Sequence, residues 1–382
     1  MMEYRRIGDL TTVITGGTPS TNVPEYWEDG NIPWLQSGCC QNCDVEHAEK
    51  CITQLGYDNS STKMMPSDTV MIALTGATAG KIGYLKFNAC GNQSITGILP
   101  CDMLDQKYLF YFLLSQRDKI LADCVGGAQA HISQGYVKDI LVPVLPLVEQ
   151  KVISKNMSII DELIFLRKQQ LSKLDELVKS RFIEMFGDVA NSPKYSGIPL
   201  GAVCTTLSGG TPTTKVPEYY EGDIPWISTP YLGNNHIDGS SAKAYITEDA
   251  IKNSATHLIP ENTIMFGIRV GVGKSSIIDE PMCANQDIVA LMGIDTSKYN
   301  LLFVKHVLDG YQSHFDSIKK GATILGITTE DLKKVLIPVV DMNVQNRFAS
   351  FVEQTDKSKL EIQKSLNQLE TLKKALMQKY FG

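Results

Sequence analysis

One stretch of this chain is written twice, and that doubling limits the folds open to it more than any other feature. Residues 16–27 read Gly-Gly-Thr-Pro-Ser-Thr-Asn-Val-Pro-Glu-Tyr-Trp, and residues 209–220 read Gly-Gly-Thr-Pro-Thr-Thr-Lys-Val-Pro-Glu-Tyr-Tyr. Ile32-Pro33-Trp34 returns as Ile224-Pro225-Trp226, and Asn92-Gln93 as Asn285-Gln286. Each copy ends in a long charged segment of helical pattern, closing on Phe186-Gly187 in one and Phe381-Gly382 in the other. The offset stays between 192 and 195 residues, so the copies are collinear and fill most of the 382 residues. Two copies of one unit predict a pseudo-two-fold molecule suited to a two-part target.

Each copy divides into a β-rich globular part and a helical part. In the first, residues 69–74 and 95–99 read as strands, with a helix over Tyr108–Ile120 that places Leu109, Phe112, Leu113 and Gln116 on one face. Ile140-Leu141-Val142-Pro143-Val144 reads as a last strand, and its proline argues for an edge. The second copy keeps the order: strands at 263–266 and 287–291, a helix near Leu301–Tyr311, and a strand at 335–340. The fold class is α+β, used twice. The boundaries follow: a first recognition-type domain over 1–146, a central helix over 147–188, a second domain over 189–341, and a C-terminal helix over 342–382.

The helical parts carry an apolar stripe at 3–4 spacing. Its pairing positions are Ile160, Ile164, Leu171, Leu174 and Val178 in the first copy, and Ile362, Leu366, Leu369, Leu372 and Leu376 in the second. About 40 helical residues make a rod of about 60 Å. Such a stripe needs a partner in water, so the two rods are expected to pair as an antiparallel coiled coil separating the two domains.

With those residues in view, the chain resembles the specificity subunit of a type I restriction–modification system. The resemblance rests on the Gly-Gly-Thr-Pro loops followed by Ile-Pro-Trp, the Asn-Gln pairs, Pro146-Leu147-Val148-Glu149-Gln150 at the start of the central helix, and residues 174–188 at its end. It covers essentially the whole chain. One departure is the second helix start, Asp341-Met342-Asn343-Val344-Gln345, which lacks the Pro-Leu and the Glu. The resemblance implies a DNA reader without catalytic activity of its own. Each globular part would be a target recognition domain for one half of an interrupted, asymmetric site. The paired helices would set the spacing and dock two modification subunits, which carry adenine-N6 methyltransferase activity and S-adenosylmethionine. Restriction subunits, with ATP- and Mg-dependent translocase and nuclease activity, would join that core. Double-stranded DNA is thus an implied partner, and no cofactor is expected on this chain.

Charge cuts against a free-standing DNA binder. The chain has a formal net charge of −6, whereas such proteins are expected to be basic. Residues 148–184 and 343–380 hold 14 Lys and Arg against 10 Asp and Glu, which leaves 22 basic and 32 acidic residues elsewhere. Phosphate contacts normally supply most of the affinity. Tight binding is therefore expected to need partner subunits, with this chain supplying readout from small patches. The rival reading, a two-domain cytoplasmic scaffold for protein or glycan, fits an acidic chain equally well.

The candidate DNA-contacting residues are Thr18, Ser20, Thr211 and Thr213 in the Gly-Gly-Thr-Pro loops, Lys81, Lys274 and Arg269 on glycine-bearing turns, and Gln129, His131 and Thr323 in two later loops. A Gln amide can bond two edge atoms of adenine. The loop glycines supply either close approach or positive φ, and the proline sets a turn. Gly271-Val272-Gly273-Lys274-Ser275 looks like a phosphate loop, but the pattern needs Gly at the place of Ile268. Cys40, Cys43, His47 and Cys51 have zinc-like spacing, yet the second copy has nothing comparable, so no metal is expected. Six scattered histidines, no Gly-x-Ser-x-Gly and no Asn-Pro-Pro-Tyr leave no catalytic set. Nothing at the start reads as a signal peptide. Nine cysteines, an odd number, do not read as a disulfide framework. A cytoplasmic location is the expectation.

Overall fold

The computed structural model describes residues 3–123, 131–321 and 325–382. They form two compact units, Met1–Lys168 with Lys364–Gly382, and Gln169–Gln363. Both are α+β, and each long helix contributes residues to both units.

The first unit centres on a five-stranded sheet in the order Val13–Thr15, Ile95–Ile98, Val70–Ala73, Ile82–Leu85, Cys43–Val45. All its pairings are antiparallel except the last. The three middle strands are buried along their whole length, which is why they read as continuous apolar runs and not as alternation. Alternation persists in which core each residue enters. Val70, Ile72, Ile82, Tyr84 and Ile98 pack against the helix Gln106–Ser115, while Met71, Ala73, Leu85 and Ile95 pack against Met65, Cys40 and Ala89. A smaller sheet joins Ile32–Leu35 to Lys50–Ile52 and, in parallel, to Ala89–Gly91. Leu141–Val144 pairs at an edge with Glu3–Arg6, Pro143 lying opposite Tyr4.

The second unit repeats this plan. Its five-stranded order is Thr205–Ser208, Ile288–Met292, Thr263–Gly267, Ser275–Ile278, His236–Ile237, again with only the last pair parallel. Trp226 faces Cys283 just as Trp34 faces Cys90. The helix read over Tyr108–Ile120 is in fact two, Gln106–Ser115 and Arg117–Ala122. The helix Leu301–Gly310 matches the first of them, and Asp105 and Asn300 cap the pair by accepting from backbone N–H groups of the first turn.

The long helices run Leu147–Phe186 and Met342–Phe381. Both start on a buried glutamine. Gln150 accepts from Asp105 N and donates to the carbonyls of Met103 and Leu145; Gln345 accepts from Asn300 N and donates to Lys298 and Val340. The missing Pro-Leu at 341–342 thus leaves the second start intact. The pairing is antiparallel in both units. In the first, Asp161 accepts from Lys373 at 2.5 Å and Lys168 meets Glu370 at 3.3 Å; in the second, Asp175 meets Lys359 at 2.6 Å. Ile160, Val178 and Leu366 are buried, and Ile164, Leu171, Leu174, Ile362, Leu369 and Leu376 are half-buried. Leu372 is a correction, since it is 46% exposed. The 3–4 register runs from Leu369 to Lys373 to Leu376, so the inward place goes to Lys373, which Asp161 neutralises. The helix ends also serve as core. Phe186 is fully buried against Phe182, Phe303 and Phe348, and Phe381 packs on Tyr108 and Phe112.

One buried polar group in the second unit gives a pH-dependent term. Burial between Phe182 and Phe348 pushes the His306 imidazole down to about 4, against the opposing pull of Asp309 at 3.3 Å. The unfolded chain therefore binds a proton more readily than the folded one between pH 6.5 and about 4. Stability from this group is complete above pH 6.5 and is lost as pH falls toward 4, by roughly 3 kcal/mol. His306→Phe is expected to flatten the fall in urea midpoint between pH 7 and pH 4.5; the same fall in both proteins would contradict the assignment.

Candidate functional site

The Gly-Gly-Thr-Pro loops leave the first strand of each five-stranded sheet and turn immediately against the neighbouring backbone. Gly16 N donates to Ile95 O and Gly17 N to Gly91 O; Gly209 N donates to Ile288 O and Gly210 N to Ala284 O. A Cβ on Gly16 would run into the Gly91 carbonyl, and one on Gly209 into that of Asn285. None of the four glycines lies in the left-handed region. Close approach, not positive φ, is what requires glycine here. The indole of the Ile-Pro-Trp motif then closes each loop, Trp34 Nε1 donating to Gly17 O and Trp226 Nε1 to Gly210 O, both at 3.0 Å. That bond ties two motifs some 17 residues apart, and it recurs because both strands share one register.

Beyond the glycines the loops face solvent. Thr18, Ser20, Thr211 and Thr213 are exposed, while Pro19 and Pro212 are buried. The Thr18 hydroxyl donates to Gln93 Oε1 at 2.5 Å, and Thr211 makes the same bond to Gln286. The repeated Asn-Gln motif thus presents its glutamine amide beside the loop threonine, a role its recurrence hinted at without fixing. Each glutamine keeps its amide N–H₂ for other partners, and the pair forms a polar surface of the kind that meets base edges or phosphates.

Lys81 and Lys274 sit on matched hairpins, between Val70–Ala73 and Ile82–Leu85 and between Thr263–Gly267 and Ser275–Ile278. Gly80, Gly271 and Gly273 take positive φ there. A strand, not a helix, follows Lys274, so the phosphate-loop resemblance ends: that loop works by presenting a helix N-terminus. Lys81 Nζ donates to Gln41 Oε1 at 2.6 Å. Arg269 is half-exposed with Asp287 at 3.7 Å. His131 is exposed, bridged in antiparallel fashion to Thr75 beside the first hairpin. Gln129 and Thr323 lie outside the described residues. No hydrogen bond among the described residues joins the Thr18 loop to the Lys81 hairpin, or the Thr211 loop to the Lys274 hairpin.

Among the described residues no group of three or more His, Cys, Asp or Glu is placed to hold a metal ion. Cys40 is buried and Cys43 exposed, two residues of the spacing that had suggested zinc. Cys40 donates toward Cys39, holding the Cys39 thiol down while its own is pushed up by that bond and by burial. No described helix is long and apolar enough to cross a membrane.

Comparison with known proteins gives one answer along the whole chain. The profile for the type I restriction modification DNA specificity domain matches residues 1–176 and again 194–371. The type I restriction enzyme MjaIX specificity subunit of Methanocaldococcus jannaschii is 24% identical, covering 99% of this chain and 92% of its own length. The EcoR124I/EcoR124II specificity subunit of Escherichia coli is 29% identical over 155 residues, 39% of this chain and 38% of its own. In fold, the chain is similar to the crystal structure of a type I restriction–modification S subunit from M. genitalium, with TM-score 0.62, 17% identity, and 100% and 96% of the two chains covered.

Proposed function

We propose, from the premise that this chain belongs to the type I restriction modification DNA specificity domain family, that it is the non-catalytic reader of an asymmetric, two-part DNA site. Each unit reads one half, and the two halves differ in sequence. The paired helices dock two adenine-N6 methyltransferase subunits, and restriction subunits join that core. S-adenosylmethionine, ATP and Mg belong to those partners.

The observation that carries this reading is the pairing of a shared frame with unlike surfaces. Strand order, register, the tryptophan-closed glycine loop and the glutamine-anchored helix start recur in both units. The residues around the two hairpin lysines do not. A frame kept twice with different surroundings suits two different half-sites. The acidic balance outside the helices fits a reader that depends on its partners for most of the phosphate contact.

A domain exchange tests the division of labour. Replacing residues 1–146 with the matching region of another family member is expected to change one half of the methylated motif and leave the other half unaltered. A change in both halves would show that the units read jointly.

A further inference from the structure

The two hairpin lysines occupy matched places, yet their surroundings are opposite in character. Lys81 in the first unit is tied to the Gln41 amide. The matching place in the second unit is Gly233, whose ideal Cβ would meet no atom within 4 Å. The strand registers extend the comparison. Trp34 faces Lys50 and Trp226 faces Ala244, so the residue preceding each partner matches too: Glu49 in the first unit, Lys243 in the second. The first unit therefore has a lysine hydrogen-bonded to a neutral amide, and carries Glu49 at the place that matches Lys243. The second has an open cleft of about 490 Å³ lined by both Lys243 and Lys274, with Gly233, Asn234 and Ser241 on its walls.

Both lysines are exposed, and neither ammonium meets a carboxylate or another acceptor among the described residues. Two like charges sharing one cleft repel each other, so the arrangement favours an anion between them. Two carboxylates turned toward this loop are taken up by it, Asp238 by the backbone N–H and hydroxyl of Ser240 and Glu280 by the backbone N–H of Gly239. Over residues 189–341 acidic residues outnumber basic ones, 16 to 12, so this pair is a local exception to its domain.

We propose that the Lys243–Lys274 cleft binds the phosphate backbone of DNA and anchors the second unit, and that the described residues of the first unit hold no equivalent anchor. The assignment rests on the DNA-reading function above and adds to it an asymmetry between the halves. The cleft positions the DNA without choosing its sequence, because ammonium groups directed at phosphate oxygens meet a group that every nucleotide carries. Asn234 and Ser241 add amide and hydroxyl donors to the same anion.

The test uses the full chain assembled with its modification partner and a duplex carrying its methylated motif. Binding is measured from about 50 to 200 mM salt for the wild type, for Lys243→Met with Lys274→Met, and for Lys81→Met. Each phosphate contact contributes close to 1 to the slope of log affinity against log salt. The double variant is expected to weaken binding at low salt by at least about tenfold, to flatten that slope by about 1 to 2, and to keep the same preferred sequence. Lys81→Met is expected to change the slope by less than half as much. Unchanged affinity and slope in the double variant would overturn the proposal, as would a changed base preference, which would make the lysines base readers. Failure of the wild-type complex to bind DNA would instead overturn the functional reading itself. Thermal unfolding should be unaltered, since both side chains are exposed.

Discussion

Val178→Asp combined with Leu366→Asp is expected to abolish assembly with the modification subunit and to destabilise each unit by about 3–5 kcal/mol. The two positions divide the task between the units. Val178 is 4% exposed and packs in the second unit's core with Phe182, Phe348 and Val352. Leu366 is 5% exposed in the helix pair of the first unit. A carboxylate at either place is desolvated inside a helix pair whose polar contacts are already matched, Asp161 with Lys373 and Asp175 with Lys359. Leu174 is a weaker choice, since it is only half-buried. Val178→Ile with Leu366→Met keeps the volume and the seam, and is expected to assemble normally. Denaturant unfolding and size-exclusion chromatography with the modification subunit measure both effects. Normal assembly of the double Asp variant would show that the helix pair is not the docking element.

Much of this fold is legible in the sequence because the repeat supplies an internal comparison. Gly-Gly, Ile-Pro-Trp and the Gln of each helix start recur because each makes the same bonds twice: glycine against a crossing carbonyl, indole to a loop carbonyl, glutamine to three backbone groups. The buried strands at 70–73 and 263–267 are visible as apolar runs of strand length. What escaped the sequence escaped for physical reasons. Leu372 fits the apolar pattern by residue type, but helical register assigns the inward place to Lys373, whose burial depends on Asp161 more than 200 residues away. The break at Gln116 within the helix read over 108–120 leaves no proline or glycine behind. At the hairpins, the informative contrast lies in Gln41 against Gly233 and Glu49 against Lys243. Strand register is what brings Gln41 to Lys81 and sets Lys243 and Lys274 along one cleft. The same comparison that exposes the frame hides the readers, because readers are the places where the copies are free to differ.

We propose that this one chain directs adenine methylation to an interrupted motif with two unlike halves. The proposed ruler, two helices of 40 residues each, predicts half-site centres roughly 30–45 Å apart, about 9–13 base pairs at about 3.4 Å each. Co-expressing the chain with its modification subunit in a methylation-free host and mapping N6-methyladenine across the genome tests it directly. The expected result is a single asymmetric motif with an unread spacer of constant length, methylated on opposite strands in its two halves and lost when this chain is omitted. A continuous motif, a spacer of variable length, or methylation that persists without this chain would contradict the account.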